Sequence, residues 1–156
     1  MLPPSNHDIL PSKTANKSQK FTLYGINQRW RFFRYGQGCI YRPHIDGSWP
    51  ESRLSTCGNE YETDKSGQTK SFLTFLIYLN EDFCGGATRF YLAKGNGGGM
   101  VARGIKPQMG SVLVFPQGNS ASLLHEGTAV SQGAKYVIRT DVLYNQLNGE
   151  TLRGKI

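Results

Sequence analysis

From Phe21 to Tyr144 the sequence is cut by Gly, Pro, Asn and Asp into short segments rich in Phe, Tyr, Leu and Val, and no segment sustains a helical period. That rhythm restricts the chain to an all-β fold, a jelly roll or a related barrel, with room for short helices at most. Segments 29–35, 39–43, 71–80, 87–92, 101–105, 111–115, 121–125 and 134–144 read as about eight strands. The run SFLTFLIYLN at 71–80 is almost continuously apolar, so it reads as a central strand covered on both faces.

A length of 156 residues with 38% hydrophobic side chains suits one domain around one core. The 19 glycines and 7 prolines punctuate strands and do not cluster into low-complexity tracts. Residues 1–20 read as a flexible polar leader, 21–145 as the domain and 146–156 as a C-terminal tail. Segment 48–70 is polar and aperiodic, and reads as a long surface loop of the kind that serves as a lid or binding segment. The glycine tip at 95–99 lacks the Lys-Ser/Thr pair and the helix of a phosphate loop, so it reads as a hairpin tip.

Cys39, Cys57 and Cys84 are odd in number and widely spaced, which argues against a disulfide framework or a zinc ribbon. Cys39 and Cys84 read as buried small hydrophobes, and Cys57 as an exposed loop residue. There is no signal-peptide-like or membrane-spanning stretch, the pattern of a cytoplasmic or nuclear protein that meets no membrane. The net charge of +7 is spread along the chain, so nucleic acid is disfavoured as a partner. Nothing in the sequence sets an oligomeric state.

His44 and Asp46 stand two positions apart where a strand meets a loop, a spacing that sends both side chains to one face. His125 ends another expected strand that a barrel can bring beside them. Two imidazoles and a carboxylate make the facial triad of non-haem Fe(II), which leaves coordination positions for a 2-oxo acid and O₂. A 2-oxoglutarate held there presents a distal carboxylate that needs a cation. Lys135 and Arg139 are the candidates; they share a strand face, and Lys135 stands ten residues after His125.

With these residues in place the chain resembles the prolyl 4-hydroxylase-like branch of the Fe(II)/2-oxoglutarate oxygenases, over roughly Asn27 to Tyr144. The likeness is carried by Arg34-Tyr35-Gly36 before His44-x-Asp46, Ile77-Tyr78-Leu79-Asn80, Gly85-Gly86-Ala87-Thr88-x-Phe90, Pro107-x-x-Gly110-Ser111-x-Leu113-x-Phe115, and Leu124-His125-Glu126-Gly127 ahead of Gly133-x-Lys135-Tyr136. The resemblance implies a double-stranded β-helix with iron on His44, Asp46 and His125 and the distal carboxylate of 2-oxoglutarate on Lys135. It further implies a hydrogen bond to that carboxylate from Tyr78 and a pocket-lining place for Tyr35; both have an alternative as core aromatics, an equal one for Tyr35. Gly85, Gly86 and Gly110 take tight turns by the same likeness. Relatives generally carry helices and further strands ahead of the HxD segment, and here a polar leader stands in their place, as in a truncated product or an excised domain.

The implied reaction is hydroxylation of a C–H bond coupled to decarboxylation of 2-oxoglutarate to succinate, with Fe(II), O₂ and, as reductant, L-ascorbate (vitamin C). A prolyl residue in a polypeptide is one candidate substrate, which the 48–70 segment with Trp49, Arg53 and Tyr61 could grip; a small molecule is another. Two rivals are a catalytically impaired jelly-roll binding module and a nucleic-acid-directed oxygenase.

Overall fold

The computed structural model describes residues 20–95 and 98–147. The leader therefore lies outside the described residues except for Lys20, as do positions 96–97 of the glycine tip and most of the tail. The strands are β1 (Lys20–Ile26), β2 (Arg31–Tyr35), β3 (Tyr41–His44), β4 (Ser52–Leu54), β5 (Tyr61–Thr63), β6 (Thr69–Tyr78), β7 (Cys84–Gly85), β8 (Thr88–Ala93), β9 (Met100–Ile105), β10 (Val112–Pro116), β11 (Leu124–Gly127), β12 (Val130–Gln132) and β13 (Lys135–Leu147). No helix occurs among the described residues, and so none there is long and apolar enough to cross a membrane.

The strands form the two facing sheets of a double-stranded β-helix. The major sheet runs β1-β13-β6-β10, and the minor sheet runs β3-β11-β8-β9. β13 organises the major sheet: β1 pairs with its residues 142–147, β2 with 135–139, and β6 lies along its opposite side. β6 is therefore interior, between β13 and β10, as its apolar run requires. Alternation along β13 turns Lys135, Val137 and Arg139 inward, while Ile138 joins Phe32, Ile77 and Val112 in a row on the outer face. The sheets meet where Phe90 of β8 packs edge-on to Phe115 of β10 at 5.1 Å between ring centres.

All eight expected strands are present, and β1, β4, β5, β7 and β12 join them. Segment 48–70 is a correction to the loop reading, because it contains the β4–β5 hairpin and the start of β6. Among its ties to the domain is the buried Asn27, which donates to Pro50 O at 3.0 Å and accepts from Ser52 N at 3.1 Å. The strand expected at 121–125 begins at Leu124, because the Asn119 carboxamide accepts from Ala121 N and turns the preceding residues. Cys39 and Cys84 are exposed, contrary to expectation: Cys39 closes a turn onto Gly36, and Cys84 lies in a two-residue strand paired only with β12. Cys57 is exposed as well.

Candidate metal centre

β3 and β11 are antiparallel neighbours, and their register sets His44 directly opposite His125. The two imidazole centres lie 4.2 Å apart. Asp46 stands just beyond β3 on a segment with no ladder of its own, held by a hydrogen bond from Gly118 N to its carbonyl at 3.0 Å. Gly118 takes a φ of +69°, and a side chain there would press into Ser48. Nitrogen or oxygen donors of His44, Asp46 and His125 all lie within 4.8 Å of one another. His44 Nε2 is 3.4 Å from Asp46 Oδ1 and His125 Nε2 is 3.7 Å from Asp46 Oδ2.

Both histidines have one ring nitrogen committed to the backbone. Nδ1 of His44 donates to Arg42 O at 2.8 Å and Nδ1 of His125 to Leu123 O at 2.9 Å; a carbonyl can only accept, so each neutral ring keeps its lone pair on Nε2. His44 Nε2 is buried without a hydrogen-bond partner. Burial pushes the His125 pKa down and favours the neutral, ligating form. An orphaned nitrogen, a second imidazole and a carboxylate at this spacing fit a divalent first-row metal with a preference for nitrogen and oxygen donors.

A cavity extends from His125 between the sheets, lined among others by Tyr35, Thr74, Thr88, Phe115, Lys135 and Arg139. Lys135 is only 5% exposed, and its Nζ donates to Gly86 O at 2.6 Å. It makes no ion pair among the described residues; its other neighbours are the faces of Tyr78 at 5.3 Å and Tyr35 at 5.8 Å. Burial drives its pKa down to about 8. Asn80 fixes the start of this strand, accepting from Tyr136 N at 2.8 Å and donating to Ala134 O at 2.8 Å.

Tyr35 lines the cavity, and burial pushes its phenol up to about 12. Tyr78 is fully buried with its hydroxyl 2.7 Å from Thr88 Oγ1. Arg139 reaches inward to Asp46, with Nη2 2.8 Å from Oδ2. Trp49, Arg53 and Tyr61 do not line the cavity, which leaves them outside the site as it stands.

Reasoning from the sequence did not bring Thr74, Gln117 or Arg31 to the site; with Asp141 they form a network behind Asp46 that is buried except for the half-buried Arg31. Burial raises the Asp141 pKa, against the pull of Arg31 and Arg139. A signal for part of it was present in the sequence, since Thr74 is a polar residue inside the almost continuously apolar run at 71–80. Gly86 has a φ of +64°, and a Cβ there would meet Phe83 at 2.9 Å and the Lys135 stem at 3.3 Å. Gly85 is equally constrained, because a Cβ would strike Ala129 O.

A family model described as the 2OG-Fe(II) oxygenase superfamily matches residues 30–140. Among solved structures, the viral collagen prolyl hydroxylase of Paramecium Bursaria Chlorella virus-1 in its 2OG complex is similar at 19% identity, with a TM-score of 0.41. The match covers 78% of this chain and 63% of that one, so less than two thirds of the viral protein has a counterpart here. No curated protein matches the sequence.

Proposed function

The chain belongs to the 2OG-Fe(II) oxygenase superfamily, and from that premise we propose that His44, Asp46 and His125 hold one Fe(II) and that Lys135 receives the distal carboxylate of 2-oxoglutarate. The observation that carries the reading is the convergence of three donor atoms within 4.8 Å, with both Nδ1 atoms committed to backbone carbonyls. When bound, Fe(II) supplies the redox chemistry that couples decarboxylation of 2-oxoglutarate to oxygen insertion.

The chain's own residues do the rest. His44 and His125 present neutral nitrogens on one side of the cavity. Lys135 offers a positive charge in a dry recess, where a carboxylate would relieve its uncompensated burial. Thr88 and Tyr78 share one hydrogen bond beside it and can turn a hydroxyl toward the same carboxylate. Phe90 and Phe115 pack on the His125 ring and exclude water.

The finer reading is hydroxylation of a prolyl residue in a polypeptide, supported by the motif order shared with the prolyl 4-hydroxylase-like branch; L-ascorbate as reductant rests on the same likeness. Succinate release from 2-oxoglutarate, measured with added Fe(II), tests the activity. A screen of proline-containing peptides for a mass gain of one oxygen tests the substrate. Absence of succinate from protein that demonstrably binds metal would favour the binding-module rival.

A further inference from the structure

We propose that Arg139 is a positioning residue for the metal-binding carboxylate: together with Thr74 it occupies Oδ2 of Asp46 and leaves Oδ1 as the oxygen presented to the metal. The inference rests on the metal-site reading above and assigns Arg139 a part distinct from anchoring 2-oxoglutarate.

Asp46 is the ligand most in need of such help. It lies beyond the end of β3, so no strand ladder restrains its backbone, and only the Gly118 hydrogen bond holds its carbonyl. Its carboxylate orientation then depends on side-chain donors. Two of them converge on the same oxygen: Arg139 Nη2 at 2.8 Å and Thr74 Oγ1 at 2.7 Å, whose single proton is drawn more strongly by the carboxylate than by the neutral Gln117 Oε1 at the same distance. The other oxygen, Oδ1, faces the orphaned Nε2 of His44. An oxygen already accepting two donors, one of them charged, is the weaker competitor for a metal.

Arg139 is itself held from behind. Its Nη2 is 3.2 Å from Thr74 Oγ1, 3.3 Å from Gln117 Oε1 and 3.8 Å from Asp141 Oδ1. Gln117 is wholly buried, and its Nε2 donates to Ser71 Oγ and to Asp141 Oδ1, which turns its Oε1 toward Arg139. Asp141 closes the chain on Arg31, through a 2.5 Å contact at Oδ2. Each member of this relay touches the next and commits Nη2 to Asp46, while Nε of Arg139 is buried without a hydrogen-bond partner. What a lysine would lack is direction and reach, since its shorter stem ends in a tetrahedral ammonium and cannot place an in-plane N–H on Asp46 Oδ2 as the Arg139 guanidinium does through Nη2.

The test uses the full chain and Co(II), whose visible absorption reports both binding and coordination, titrated first without 2-oxoglutarate and followed by calorimetric titration of 2-oxoglutarate into each Co(II)-loaded variant. The variants are Arg139→Lys, which keeps the charge and loses the fork, Arg139→Gln, which loses the charge, and Thr74→Val, which removes the second donor at constant shape. Positioning predicts that Arg139→Lys and Thr74→Val each weaken Co(II) binding about tenfold or more, with altered band intensity. If charge were all that mattered, Arg139→Lys would bind as wild type and Arg139→Gln would bind more tightly, which overturns the inference. Unchanged Co(II) binding in every variant, with 2-oxoglutarate affinity lost in both Arg139 variants, overturns it in favour of an anchor. Should Arg139→Lys not fold, Thr74→Val carries the decision, because it preserves every charge. A wild-type chain that takes up no Co(II) would remove the metal-site reading itself, and this inference with it.

Discussion

Lys135→Met separates the burden of a buried charge from its use. Burial lowers the Lys135 pKa from 10.5 to about 8, and at 1.36 kcal/mol per unit the folded chain carries the protonated lysine at a cost of about 3 kcal/mol. The sign follows from linkage: the unfolded chain binds the extra proton between pH 8 and 10.5, so this contribution to stability rises with pH through that window and the full cost is felt below it. Methionine fills similar space without charge. Its gain is offset by the loss of the Lys135 hydrogen bond to the buried Gly86 carbonyl, worth about 1–3 kcal/mol. The variant should therefore melt no lower than wild type at pH 7, and up to a few degrees higher at roughly 2–4 °C per kcal/mol. Its affinity for 2-oxoglutarate should fall about ten- to a hundredfold, the loss expected of a charge-assisted hydrogen bond. Calorimetric titration of metal-loaded protein with 2-oxoglutarate reads the affinity, and thermal melts of the bare protein read the stability. Wild-type affinity for 2-oxoglutarate in the variant would refute the anchor; a large drop in melting temperature would refute the claim that this charge burdens the fold.

In wild-type protein the affinity for 2-oxoglutarate should decline as pH rises through about 8, where Lys135 loses its proton, and a calorimetric pH series flat to pH 10 would contradict that. Asp46→Ala should abolish metal binding and succinate release together, as read by Co(II) absorption and by product assay. Metal plus a non-reactive 2-oxoglutarate mimic, at about a hundredfold above its dissociation constant, should stabilise the fold by roughly 2.7 kcal/mol in a thermal melt. Gly86→Ala should destabilise by about 1–3 kcal/mol in denaturant titration, since it forces a left-handed backbone on alanine against Phe83.

The parts of the site legible in the sequence are those whose spacing is local. His44-x-Asp46 reads as one face because two residues of extended chain repeat a side-chain direction, and Lys135 and Arg139 share a face for the same reason. The positions of eight strands were legible through the Gly and Pro breaks, yet the β4–β5 hairpin was not, because its two three-residue strands are mostly exposed and carry no apolar alternation. Exposure of Cys39 and Cys84 was equally hidden, since it depends on which edge a turn or short ribbon occupies. The relay behind Asp46 was out of reach for a different reason: Arg31 and Asp141 stand 110 positions apart, and only the pairing of β2 and β13 brings them together.

The charges of the centre bear on how its occupants depend on one another. Asp46 and Asp141 are matched by Arg139 and Arg31, and Glu126 at the cavity wall by Arg89. Lys135 is left with a positive charge, a hydrogen bond to the Gly86 carbonyl and no ion-pair partner among the described residues. A divalent cation added to this set would raise the buried positive charge further, and a dianionic 2-oxo acid would cancel the addition. Desolvated charges of one sign are costly to hold together, so each occupant lowers the cost of the other. By reciprocity, whatever 2-oxoglutarate gains from the metal the metal gains from 2-oxoglutarate. On the proposed reading, Lys135→Met should therefore shrink the mutual gain of metal and 2-oxoglutarate, read as the ratio of 2-oxoglutarate affinities with and without Co(II), and an unchanged ratio would refute a part for Lys135 in the coupling.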